Sequence, residues 1–94
     1  MPHSSPYYVY ILRCSDDTLY TGITTDLKRR LDEHNHSPKG AKYTRNRRPV
    51  NLIYSEPCAD KSAASKREYA IKKLSREAKM ALIASVRDQD SART

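Results

Sequence analysis

Two tyrosines, Tyr10 and Tyr20, precede an arginine and a histidine spaced i and i+4, Arg30 and His34, and a glutamate, Glu68, follows as the only acid between Lys61 and Arg76. These side-chain types can bind anions, move protons or hold a metal, and the tyrosines can equally replace Phe as core and cross-strand fillers. A guanidinium stabilises charge on phosphate oxygens. A phenol or imidazole holds or moves a proton. A carboxylate is a hard oxygen ligand for Mg²⁺. The spacing allows bland readings too. On a helical wheel, Leu27 and Leu31 mark the buried direction, and Arg30 and His34 share one face at its margin. There both could simply reach past the core to water. Glu68 falls beside Ala64 at the edge of a second apolar stripe, with Lys72 one turn on. That pair is either an i,i+4 ion pair worth a few tenths of a kcal/mol or a ligand with a cationic neighbour. One carboxylate does not suggest a two-metal site.

The elements that must position these groups follow from local pattern. Residues 7–13 (YYVYILR) are aromatic and β-branched, and residues 19–24 (LYTGIT) follow a Ser15-Asp16-Asp17 turn signal, so the pair reads as a β-hairpin. Tyr8 and Tyr10 share one face of the first strand and Tyr7 the other. Gly22 within the second strand implies a bulge or a close backbone approach. Asp26 is placed to cap a helix over 27–35, ended by Ser37-Pro38. A strand over 49–56 puts Val50, Leu52 and Tyr54 on one face. A helix from Asp60 or Ser62 to about residue 74 carries Ala63, Ala64, Ala70, Ile71 and Leu74 as its stripe. Ser75 caps a last helix, 76–87, with Ala78, Leu82, Ile83 and Val86 inward. Residues 1–6 and 88–94 read as disordered and frayed ends of one domain, 7–87. The order β-β-α-β-α-α makes this an α+β fold, a small three-stranded sheet packed by helices.

Composition narrows the partner. The chain has 94 residues, no Phe or Trp, seven Tyr and a net charge of +7. Residues 39–48 contribute Lys39, Lys42, Arg45, Arg47 and Arg48 with no acid, and Tyr43 and Thr44 add stacking and hydrogen-bonding capacity. This is a candidate nucleic-acid-binding loop or a solvated one. Cys14 and Cys58 are isolated thiols without a zinc pattern and read as small packing residues. Tyr7, Tyr54 and Tyr69 read as packing residues. No apolar run approaches the roughly 20 residues of a membrane span, and MPHSSP lacks the features of a secretory signal, so the expectation is a cytoplasmic protein with no membrane partner.

The order VYI (9–11), YTG (20–22), Arg30, His34 and Glu68 resembles the GIY-YIG nuclease superfamily. The runs GAKYTRNRRPVNLIYSE and KREYAIKKLS are similar to its small, stand-alone bacterial branch. The resemblance covers residues 7–86 and implies a three-stranded antiparallel sheet flanked by helices. It implies phosphodiester hydrolysis, most directly of DNA, with one Mg²⁺ or Mn²⁺ ion. Tyr10 matches the third residue of the first motif and Tyr20 the first of the second. Arg30, His34 and Glu68 match the helix-borne arginine, histidine and metal-binding glutamate. In this reading Tyr10 takes a proton from water, its phenolate favoured by Arg30, the metal and a polarised water together, and Tyr20 orients that water or shares its proton. Lys72 and Thr24 support the site from further out. Tyr8 stands where the family name has glycine and Thr21 where it has isoleucine. The asparagine that many members carry near the domain's end has no placed match. Larger members join the module to a separate DNA-binding domain, so the expectation here is binding through the chain's own surface or a targeting protein partner. A binding module that has lost catalysis is the alternative.

Overall fold

The computed structural model describes residues 6–93 apart from 38, 40 and 41, with side chains described through residue 85. Its elements are β1 (Tyr7–Arg13), β2 (Leu19–Thr24), α1 (Leu27–His36), α2 (Lys42–Arg45), β3 (Asn51–Cys58), α3 (Lys61–Lys72) and α4 (Arg76–Arg93). The sheet order is β2-β1-β3, and β1 pairs antiparallel with both neighbours. The α+β fold and its antiparallel sheet therefore match the reading of the sequence.

β1 is central, so its alternating residues supply two cores. Val9 and Ile11 pack with Tyr54, Ala64, Ile71 and Ile83, under α3 and α4. Tyr10, Leu12, Cys14 and Val50 pack on the other side with Leu27 and Leu31 of α1. Asp17 at the β1–β2 turn has φ 69°, a left-handed conformation that Asp tolerates better than most residues. Asp26 caps α1, its carboxylate accepting from Arg29 N–H, and Asp60 caps α3 by accepting from Ala63 N–H.

Four details differ from expectation. Ile11 pairs with Tyr54 but Leu12 with Leu52, so Ile53 is an extra residue in a bulge. The bulge puts Tyr54 in one core and Val50 in the other, where strict alternation had placed Val50, Leu52 and Tyr54 together. Leu52 is left 36% exposed. The α3 stripe is narrower than expected: Ala64 and Ile71 are buried, whereas Ala63, Ala70 and Leu74 are exposed. In α4, Ile83 is buried and Leu82 and Ala78 half-buried; the side chain of Val86 lies outside the described residues. The helix continues to Arg93 where a frayed tail from 88 was expected. Finally, the basic loop contains α2, too short to show a helical period in sequence. Residues 1–5 lie outside the described residues.

A candidate active site on the α1 face of the sheet

The site is built around Tyr10. It is 2% exposed, sits mid-β1, and lies directly opposite Gly22 in the ladder. A Cβ at Gly22 would stand 2.6 Å from the Tyr10 hydroxyl oxygen and 2.8 Å from Cζ. The glycine is therefore there so that the phenol can lie across it; the close approach is by a side chain rather than by backbone, and β1–β2 pairing is unbulged. Beyond Gly22 the hydroxyl reaches His34 of α1, with 2.8 Å between the phenol oxygen and Nε2. The other ring nitrogen, Nδ1, is 2.8 Å from Thr44 Oγ1 of α2. His34 and Thr44 are both fully buried, so His34 is an interior residue and not one that reaches past the core to water.

Tyr20 borders this group. Its ring meets His34 edge-on at 5.2 Å between centroids and lies 6.4 Å from that of Tyr10. Tyr43 stacks on Tyr20 at 5.8 Å, and the Arg47 guanidinium lies 4.1 Å above the Tyr43 ring. The Tyr20 hydroxyl has no hydrogen-bond partner among the described residues. Arg30 donates from Nη1 to Glu33 Oε1 at 2.8 Å and to the Lys39 carbonyl at 2.9 Å, and its guanidinium also acts on the Tyr10 oxygen. Glu68 reaches the same phenol electrostatically from α3. Its half-buried carboxylate is 3.2 Å from Lys72 Nζ, so the expected ion pair forms at the margin of the site.

Burial sets the resting protonation of the central pair. Burial pushes the Tyr10 phenol up to about 12, reinforced by Tyr20 and Glu68 and only partly opposed by Arg30. Arg30 alone does not bring it down to its ordinary value. Burial also lowers His34 to about 4, with Arg30 and Arg48 adding to the effect and Glu33 opposing it. At neutral pH the pair is a protonated phenol against a neutral imidazole. A neutral imidazole donates through one nitrogen and accepts through the other.

The remaining candidates divide by position. Lys42, Arg45 and the backbone-bonded Lys39 are exposed on the segment before β3. Arg47 pairs with Asp16 at 2.9 Å and donates to the Tyr43 carbonyl. Arg48 donates to the carbonyls of Glu33, His34 and Ser37, so it satisfies the C-terminal end of α1. Thr24 bonds Asp26 N–H and shapes the entry to α1. Tyr69, expected to pack, is 63% exposed with Lys73 Nζ 4.4 Å above its ring. Cys14 is buried and Cys58 half-buried, both as free thiols. Sequence reasoning missed Thr44 as the partner of His34, although it had noted the hydroxyl in the KYTR run.

Among the described residues no three or more His, Cys, Asp or Glu side chains cluster as a metal cage. A single carboxylate nonetheless fits Mg²⁺, which keeps several waters and is typically held by one or two carboxylates plus substrate phosphates. Among the described residues no helix is long and apolar enough to cross a membrane.

A sheet in the order β2-β1-β3, with tyrosine, arginine and histidine gathered at its α1 face and a glutamate of α3 acting on the same phenol, defines a GIY-YIG-type domain. The family model for the GIY-YIG catalytic domain matches residues 6–81. The chain is 62% identical over 77 residues to the UPF0213 protein DP2720 of Desulfotalea psychrophila, covering 82% of this chain and 70% of that one. It is 55% identical over 76 residues to the UPF0213 protein VNG_2274C of Halobacterium salinarum, covering 81% and 97%. The solution structure of the UPF0213 protein BH0048 from Bacillus halodurans matches with TM-score 0.55 at 47% identity, over 84% of this chain and 83% of that one. That of EF2693 from E. faecalis matches with TM-score 0.57 at 44% identity, over 87% and 88%. The chain belongs to the GIY-YIG superfamily and, within it, to the UPF0213 family.

Proposed function

We propose that this chain is a metal-dependent endonuclease that hydrolyses phosphodiester bonds in DNA, selecting by structure or without sequence preference. The observation that supports it most is the Tyr10–His34 hydrogen bond at 2.8 Å, at a phenol on which both Arg30 and Glu68 act. Glu68 would hold one Mg²⁺ or Mn²⁺ ion, which when bound polarises a phosphoryl oxygen and stabilises the leaving oxygen. Arg30 offsets charge growing on the phosphate. Tyr20, with its hydroxyl unpartnered among the described residues, orients the attacking water. Tyr10 keeps its own proton in the free protein. It accepts one from water only as its own passes to His34 Nε2, the acceptor already in contact. Lys39, Lys42 and Arg45 steer the backbone, a contribution to affinity without sequence readout. Targeting comes from nucleic-acid shape or from a protein partner.

One observation favours the second reading, a nucleic-acid-binding module without catalysis. A phenol at about 12 is a poor base until substrate changes its surroundings. Labelled branched, nicked and single-stranded DNA, incubated with Mg²⁺ or EDTA, separates the two. Cleavage that needs the metal and falls by about 100-fold or more in Arg30→Ala and Glu68→Ala, with binding retained, is the expected result. Binding with no cleavage above the EDTA control would leave the second reading.

A further inference from the structure

We propose that Thr44 is a positioning residue of this site: its hydroxyl accepts Nδ1–H of His34, fixes that tautomer, and so leaves Nε2 to receive the Tyr10 proton. The inference rests on the nuclease reading only for its catalytic consequence.

Three observations lead to it. First, α2 presents Lys42, Tyr43 and Arg45 outward and buries Thr44 alone. A fully buried hydroxyl in so short and charged a segment needs a hydrogen bond to be tolerated, and the imidazole supplies one at 2.8 Å. Second, Thr44 is itself fixed, since its carbonyl accepts Arg47 N–H at 3.0 Å and closes the turn after α2. Third, the two oxygens facing His34 differ in chemistry. A phenol is a better proton donor and a poorer acceptor than an aliphatic hydroxyl. The ring's lone pair therefore faces Tyr10 and its N–H faces Thr44.

Thr44 thus does for His34 what an orienting hydrogen-bond partner does for a ligand or base histidine elsewhere. Tyr43, its neighbour, meanwhile stacks on Tyr20. Two consecutive residues of the basic segment are thereby joined to the histidine and to the second tyrosine. The part of the chain read as holding the backbone also sets the state of the group read as moving the proton.

The test is a long-range ¹H–¹⁵N imidazole spectrum of the intact chain, with His34 assigned by loss of its signals in His34→Gln. Wild type is expected in the neutral Nδ1–H form, and Thr44→Ser retains it. Thr44→Val shifts His34 toward the Nε2–H form and lowers DNA cleavage by about 10- to 100-fold, while Thr44→Ser restores cleavage. Wild-type signals from the Nε2–H form, or an unchanged tautomer in Thr44→Val, overturn the proposal. Should Thr44→Val fold poorly, the wild-type and Thr44→Ser spectra still decide it. Wild type that cleaves nothing removes the nuclease reading, whereas the spectra judge Thr44 independently.

Discussion

The two faces of the central strand solve opposite problems. Under α3 and α4, Val9 and Ile11 meet Ala64, Ile71 and Ile83, and nearly every buried group is apolar. Under α1, Tyr10 and Leu12 share the interior with His34 and Thr44, two buried polar residues joined through the imidazole. The period-two geometry of β1 is what sends its successive side chains to the two different interiors. The apolar face gains stability from area removed from water. The polar face forgoes part of that gain and must satisfy each buried donor and acceptor. What it obtains is a set of side chains whose protonation states are displaced from their ordinary values in the direction that burial dictates.

The comparison breaks most visibly at Ile83, on the face away from the site. Ile83→Ala should cost about 2–5 kcal/mol in denaturant unfolding, while the His34 imidazole signals stay where they are. Moved imidazole signals would mean that the two cores are not independent.

The next effect is a pH dependence on the polar face. His34 titrates at about 4 when folded against 6.5 as its ordinary value. Between those values the unfolded chain binds the proton and the folded chain does not, so stability falls as pH drops from 6.5 toward 4. The loss should reach about 3 kcal/mol. His34→Gln should flatten that window in urea melts taken at successive pH values. An equal slope in the variant would assign the acid loss to other groups.

Gly22→Ala comes third. Its methyl meets the phenol at 2.6 Å, so the ring must move or the strands part, at about 1–3 kcal/mol. The diagnostic reading is loss of the Tyr10–His34 hydrogen bond in the imidazole spectrum, not the stability change. The smallest effect has the opposite sign. Thr21, opposite Ile11 on the apolar face, has a buried hydroxyl with no partner among the described residues. Thr21→Val keeps the shape, removes that group and should raise stability by about 1 kcal/mol in the same melts. A loss of stability would show that the hydroxyl is satisfied in solution.

Much of this contrast was legible in the sequence wherever a period carried it. Leu27 and Leu31 fixed the inward side of α1, and the pattern of residues 7–13 marked a strand, though not its central place in the sheet. The resemblance to the superfamily brought Tyr10, Tyr20, Arg30, His34 and Glu68 forward as one group, and β1, β2, α1 and α3 bring that group together around one phenol. Other features had no local signal. The bulge at Ile53 depends on how β3 registers against Leu12, and a one-residue insertion reverses every side chain beyond it. Arg48 looked like its basic neighbours, and only the folded chain shows its side chain against the carbonyls ending α1. Thr44 was one hydroxyl in a charged run until α2 turned it inward. The upward shift of Tyr10 had no local signal either, because burial, a property of the whole fold, raises the phenol further than Arg30 lowers it.

On the proposed function, the polar side of β1, reached by Glu68 from α3, does the chemistry, while the apolar core under α3 and α4 holds the fold. Tyr10→Phe removes one oxygen from the first, and Ile83→Val removes one methylene from the second. Mg²⁺-dependent cleavage of labelled DNA, measured for both variants beside their unfolding free energies, compares them directly. The expected result is a rate lowered by about 100-fold or more in Tyr10→Phe and unchanged in Ile83→Val, which should lose about 0.5–1.5 kcal/mol of stability. Wild-type cleavage by Tyr10→Phe, or equal losses of rate in the two variants, would contradict it.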